Sequence, residues 1–153
     1  MKVTLRKGAI DDFEMLYKIN KEAYKPYVEQ IWGWNEEYQY NFFKKHIIFD
    51  RIELIMMDDK PVGFISINYK EDLIFGESIA LLSDFQSKGI GTKIIKDLIA
   101  KSKQMAIPFC IQVFKVNTRA KALYEQLGFI QYGENETHYK YKIEPGTEKA
   151  PRK

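Results

Sequence analysis

The chain has a single cysteine, Cys110, in 153 residues, which rules out an internal disulfide framework and matches a reducing compartment. Nowhere does it reach the run of about 18 apolar residues that a bilayer-spanning helix needs. The opening Met1-Lys2-Val3-Thr4-Leu5-Arg6 is not followed by an apolar stretch, so no secretory signal is read there and the expected location is the cytoplasm. A strong excess of one charge is also missing. The net charge is +3 and the lysines are scattered, so composition points to neither a nucleic-acid nor a membrane partner and leaves room for a polyanionic small molecule. His46 and His138 are the only histidines, and no histidine or carboxylate pair has metal-ligand spacing, so no metal is expected. What is present is ordinary for a globular chain: 45% hydrophobic and 29% charged residues, enough for one domain around one core.

Periodicity orders the elements. Val3-Thr4-Leu5-Arg6 alternates as a strand, and Asp11 with Glu14 three residues on has the spacing of a capping box. The helix that follows carries Phe13, Leu16, Ile19 and Ala23 on one face and is expected to stop at or just before Pro26. A second helix is predicted over 35–48, with Asn35 as N-cap and Tyr38, Phe42 and His46 at i, i+4, i+8 marking its apolar face. From Glu53 the period falls to two. Strands at Glu53–Met57 and Val62–Ile67 flank an Asp58-Asp59-Lys60-Pro61 turn, and a third strand runs from Leu73 to Leu82. A helix over Gly89–Lys103 buries Ile90, Ile94, Ile95, Leu98 and Ile99, and turns Lys93, Lys96 and Lys101 outward. Phe109–Phe114 is a strand, Thr118–Leu127 a short helix closed by Gly128, and 130–132 with 139–143 a last strand pair. The expectation is one α+β domain over 1–144, a mixed sheet flanked by helices, with a frayed tail at 145–153.

Two segments carry chemistry. The stretch from Ile79 to Thr92 runs from a strand end through a loop into a helix, where free backbone N–H groups and the helix dipole favour an anion and glycines let a phosphate come close. Lys88 adds a positive charge. A Walker loop is excluded because Gln86 stands where its first glycine belongs, and a Rossmann fingerprint because Ile94 stands where its third should be. What remains is QxxGxG at Gln86, Gly89 and Gly91. Further on, Asn117 to Phe129 reads NxxAxxLYxxxGF. By residue type alone, Asn117 is equally a helix cap, Leu123 and Leu127 core spacing, and Tyr124 a packing aromatic. Cys110, in an apolar strand, reads as a core residue rather than a nucleophile partnered by His46 or His138.

In this order the two motifs resemble the cofactor site of the GNAT superfamily of N-acetyltransferases. The resemblance implies acetyl-CoA as acyl donor and an amine as acceptor. It implies that Gln86, Ser87, Lys88, Gly89, Ile90, Gly91 and Thr92 hold the pyrophosphate, and that the backbone of Ile79, Ala80 and Leu81 pairs with pantetheine as an added strand. Asn117 and Ala120 then accommodate the cofactor arm, and the Tyr124 hydroxyl lies near the sulfur as general acid. For the base, some relatives use a glutamate on the strand leading to the loop. Glu77 is the one carboxylate there, and it shares strand parity with Ile79 and Leu81. Others use a glutamate five residues before the asparagine, where this chain has Gln112, which cannot take a proton. A water chain is the alternative base, and solvent the alternative direction for Glu77. Family members usually carry proline where this chain has Ser83, so the turn after the strand is expected to be less rigidly set. Tyr24, Tyr27, Trp32, Trp34, Tyr38 and Tyr40, with Glu29, Glu36 and Glu37, fall where the family builds an acceptor wall; packing of two helices on the sheet is the other reading. A non-catalytic acyl-CoA-binding module on the same fold stands as the competing function, and monomer and homodimer are both open.

Overall fold

A computed structural model describes residues 2–146, and 147–153 of the expected tail lie outside the described residues. It contains β1 (Val3–Lys7), α1 (Phe13–Trp32), α2 (Glu36–His46), β2 (Ile52–Met57), β3 (Lys60–Tyr69), β4 (Ile74–Leu81), α3 (Ile90–Met105), β5 (Phe109–Phe114), α4 (Thr118–Gln126), β6 (Ile130–Glu134) and β7 (His138–Ile143). Short 3-10 turns lie at Ile10–Asp12, Phe49–Arg51 and Ser83–Phe85. The strands are ordered β1-β2-β3-β4-β5-β7-β6. The β1–β2, β2–β3, β5–β7 and β6–β7 pairs are antiparallel, while β4 and β5 are parallel through Ile74–Gly76 against Phe109–Ile111. The fold is therefore α+β, a seven-strand mixed sheet flanked by helices, as the alternating patterns predict.

The described residues form two compact units. One takes the chain up to Ser66 together with Ser78–Gly91; the other takes Ile67–Glu77 and the chain from Thr92 on. In the first, Leu16 and Ile19 of α1 close over Ile52, Leu54, Phe64 and Ala80, all at most 2% exposed. In the second, Ile74, Phe109, Phe129 and Tyr141 are equally buried, with the Phe109 and Phe129 rings edge-on at 5.6 Å.

Three local expectations are corrected. The N-terminal box closes between Ala9 and Asp12: Asp12 Oδ2 accepts from the Ala9 N–H at 2.9 Å, and Asp12 N–H donates to the Ala9 carbonyl at 2.9 Å. Glu14 is engaged elsewhere, accepting from the Tyr40 hydroxyl at 2.5 Å. Helix α1 does not stop at Pro26 but continues to Trp32, where Gly33 (φ 81°) ends it. The missing proline N–H costs one backbone bond, while continuation buries Val28 and lets Gln30 Nε2 donate to the Pro26 carbonyl at 2.8 Å. On α2, Asn35 caps as expected, its Oδ1 accepting from Tyr38 N–H at 2.8 Å. Its inward face, however, is Tyr40 and Phe43, packed on Phe13, Tyr17 and Phe64. Tyr38, Phe42 and His46 lie outside, stacked on one another, with Phe42 and His46 ring centroids 4.1 Å apart.

Candidate functional site

The end of β4 is shaped by a close backbone approach. A Cβ at Gly63 of β3 would collide with the Ala80 carbonyl oxygen and lie 2.7 Å from the Leu81 side chain, so only glycine lets β3 pass here. Along β4, Ala80 is buried, Ile79 and Leu81 are half-buried, and Glu77 is exposed. Beyond the strand, Leu82 N–H donates to the Val62 carbonyl at 2.9 Å and the chain enters the Ser83–Phe85 turn. Gln86 then reaches back, its Nε2 donating to the Leu81 carbonyl at 2.9 Å. In this structure the first residue of QxxGxG braces the loop against its own strand.

Ser87 (φ 63°) and Gly89 (φ 87°) both have positive φ, and Lys88 between them does not. Left-handed residues alternating with others along a turn are the backbone pattern from which anion-binding concavities are built. Immediately after it α3 begins at the buried Ile90, and the N–H groups of its first turn, Ile90 to Thr92, precede the first i→i−4 bond of the helix. A Cβ built on Gly89 meets nothing within 4 Å, so open space lies before the backbone; at Gly91 it meets only Leu81 Cδ1, at 3.8 Å. Lys88 is exposed. The loop has what a diphosphate site uses: left-handed turn residues, room for close approach, a helix N-terminus and an adjacent cation.

The second motif opens α4. Asn117 caps that helix, its Oδ1 accepting from the Ala120 N–H at 3.1 Å, so the helix-cap reading of Asn117 holds whatever else the side chain does. Asn117, Ala120 and Tyr124 are spaced i, i+3, i+7 and share one face. The half-buried Tyr124 ring packs on Phe129 at 5.6 Å, and the Tyr124 carbonyl accepts from the Phe129 N–H at 3.0 Å. Gly128, at φ 103°, makes the helix-ending turn. Beside that face of α4, Glu125 accepts from the Tyr141 hydroxyl at 2.7 Å and pairs with Lys121 at 3.0 Å. Gln112 is exposed on β5.

Other candidates resolve differently. Cys110 is buried and its thiol is pushed up by that burial, the opposite of an activated nucleophile. Among the described residues no group of three or more histidine, cysteine or carboxylate side chains is arranged to hold a metal ion. Among the same residues no helix is long and apolar enough to cross a membrane. Of the carboxylates in the aromatic region, Glu36 is committed within its own unit. It pairs with Lys21 at 2.6 Å and accepts from the Tyr17 hydroxyl at 2.5 Å and Trp34 Nε1 at 3.0 Å. These three donors, Lys21 first, hold its carboxyl down at about 2. Sequence reasoning missed the contacts that Glu22 and Tyr24 of α1 make. Glu22 Oε1 accepts from both the N–H and the Oγ of Ser83, at 2.9 and 3.0 Å. Tyr24 packs against the core cluster that includes Ala80. Burial raises its hydroxyl pKa, opposed by hydrogen bonds from the Ser78 side chain and the Ile79 backbone. No local sequence signal marks either contact, since the partners lie more than 50 residues apart.

Comparison with known proteins follows the same lines. The model of the acetyltransferase (GNAT) family matches residues 13–129. The PaiA N-acetyltransferase of Thermoplasma acidophilum, solved in complex with coenzyme A, aligns with a TM-score of 0.77 at 18% identity, over 94% of this chain and 99% of that one. The ribosomal-protein-S18-alanine N-acetyltransferase of Escherichia coli aligns with a TM-score of 0.71 at 19% identity, over 94% of each chain. An acetyltransferase of Thermus thermophilus gives 0.72 at 17% identity, over 94% of this chain and 97% of that one. At such identities the likeness is one of fold. No curated protein sequence matches the chain.

Proposed function

Because the chain belongs to the acetyltransferase (GNAT) family, we propose that it transfers the acetyl group of acetyl-CoA to a primary amine of a small molecule, peptide or protein by direct attack. The observation that supports this reading most is the Ser87–Gly91 loop, where positive φ at Ser87 and Gly89, open space at Gly89 and the start of α3 are the features a diphosphate-binding loop calls for. Gln86 to Thr92 hold the pyrophosphate, the backbone of Ile79, Ala80 and Leu81 receives the pantetheine arm, and Asn117 and Ala120 accommodate it from α4. The acetyltransferase domain is taken to span 1–144, beyond the matched 13–129, and the protein to work in the cytoplasm.

When bound, acetyl-CoA supplies the acyl group as an activated thioester. The chain's own groups have three tasks. A backbone N–H of the Ile79–Leu81 stretch polarises the acetyl carbonyl where negative charge develops. A tyrosine phenol, ordinarily titrating at about 10, is protonated at neutral pH, and that of Tyr124 gives its proton to the departing thiolate. Glu77, exposed on β4, takes a proton from the attacking amine directly or through water.

Release of free CoA from acetyl-CoA across a panel of primary amines tests the reaction, with calorimetry against acetyl-CoA and ATP as the binding arm. Amine-dependent CoA release, and acetyl-CoA binding without magnesium and more tightly than ATP, are expected. Equal affinity for the two nucleotides would place the loop's specificity elsewhere, and binding without turnover on any amine would favour a non-catalytic acyl-CoA-binding module.

A further inference from the structure

The backbone that leads from β4 into the loop has the conformation that a proline at position 83 would impose. Leu82 sits at φ −57°, ψ 147°, the extended region to which a residue before proline is confined. Ser83 opens a 3-10 turn, a position where a proline ring fits and a backbone N–H is dispensable. A serine does not enforce this geometry by itself. Its N–H and its hydroxyl instead both donate to one oxygen of Glu22, at 2.9 and 3.0 Å.

We propose that Glu22 is a positioning residue for the phosphate loop, clamping Ser83 from outside in place of the restraint a proline ring supplies from within. The clamp has a fixed base, because Leu16 and Ile19 hold α1 in the same core cluster as Ala80 of β4. It also has a short lever. Phe85 N–H bonds to the Leu82 carbonyl at 2.9 Å, Gln86 N–H to the Ser83 carbonyl at 3.3 Å, and Gln86 Nε2 to the Leu81 carbonyl at 2.9 Å, so the turn set at Ser83 is handed directly to Ser87 and Gly89. Released from Glu22, the segment pivots at Leu82 and the loop samples other orientations.

This inference rests on the acetyl-CoA reading above, and the test separates the two. Glu22→Ala is expected to weaken acetyl-CoA binding by about five- to tenfold, as loss of hydrogen bonds to a charged acceptor at a partly exposed site does, with kcat at saturating acetyl-CoA unchanged. Glu22→Gln, which keeps an accepting oxygen, falls between. Ser83→Pro alone leaves affinity near the wild-type value, and in the Glu22→Ala background it restores affinity, a rescue that a general loss of stability would not show. In the ligand-free protein, Glu22→Ala speeds amide exchange at Phe85 and Gln86. Unchanged affinity in Glu22→Ala, or a double variant as weak as Glu22→Ala, overturns the clamp. If the wild-type protein binds no acetyl-CoA, the acetyltransferase reading falls, and the clamp's effect on the loop is judged by exchange alone: rates at Phe85 and Gln86 unaffected by Glu22→Ala overturn it as well.

Discussion

The ring of Tyr124 packs on Phe129 with or without its hydroxyl, so Tyr124→Phe separates chemistry from structure. The melting temperature and acetyl-CoA affinity should stay near wild type while kcat drops on the order of 100-fold, the lower end for a positioned general acid because a thiolate is already a fair leaving group. A change confined to KM would reduce the hydroxyl to a ligand contact. The two loop glycines are not equivalent in the same kind of test. Any side chain at Gly89 meets the strain of φ 87°, whereas a Cβ at Gly91 makes only an ordinary contact with Leu81. Gly91→Glu should therefore fold, checked by circular dichroism, and lose measurable acetyl-CoA binding by calorimetry, since it sets a negative charge where the proposed function has the phosphates approach. Both motifs were legible in the sequence because each is a local pattern tied to a local need: positive φ for Gly89, a helix cap for Asn117. The role of Glu22 was not legible, because it depends on Ser83 arriving beside it through the fold.

Among elements, the strand and helix segments and the strand-to-loop-to-helix transition could be read from periodicity, but the order of the strands in the sheet and the details decided by competing burial could not. Nothing local says that α1 continues through Pro26, and the aromatic spacing of α2 favours Tyr38, Phe42 and His46 as the packed face as much as Tyr40 and Phe43. Gly63 was similarly silent: it reads as an ordinary strand position, yet the Ala80 carbonyl oxygen crowds the place its Cβ would take. Gly63→Ala should lower stability by about 1–3 kcal/mol in urea unfolding, because a backbone oxygen yields less readily than a side chain. The α1–α2 pair has its own acid-sensitive tie. Glu36 is held at about 2, below its ordinary value of 4.5, so it binds fewer protons folded than unfolded. Its contribution is present above the unfolded value and is lost as the pH falls from 4.5 toward 2. Glu36→Gln should flatten the melting temperature against pH across that window; an unchanged slope there would mean that other carboxylates govern acid unfolding.

For the whole molecule, the first compact unit joins segments that are distant along the chain, Glu22 with Ser83 and Leu16 with Ala80, and such contacts wait on the closure of long loops. The β2–β3 hairpin is one of the pieces that can form before that closure, and its two-residue turn, Asp58 (φ 52°) and Asp59 (φ 65°), has the positive φ at both centres that marks a type I′ turn, without the glycine such turns favour. Each aspartate gives up about 1 kcal/mol to hold that left-handed conformation. Time therefore enters through this turn. A hairpin that closes reluctantly delays every strand that must pair after it, and Asp59→Gly should return its gain chiefly as faster refolding in stopped-flow measurements, with the unfolding limb nearly unmoved. A variant that instead only unfolds more slowly would show the hairpin to be a late arrival. Should refolding quicken in Asp59→Gly, Asp58 and Asp59 would be the residues that pace the assembly of the first compact unit, the Ser83–Gly91 segment included.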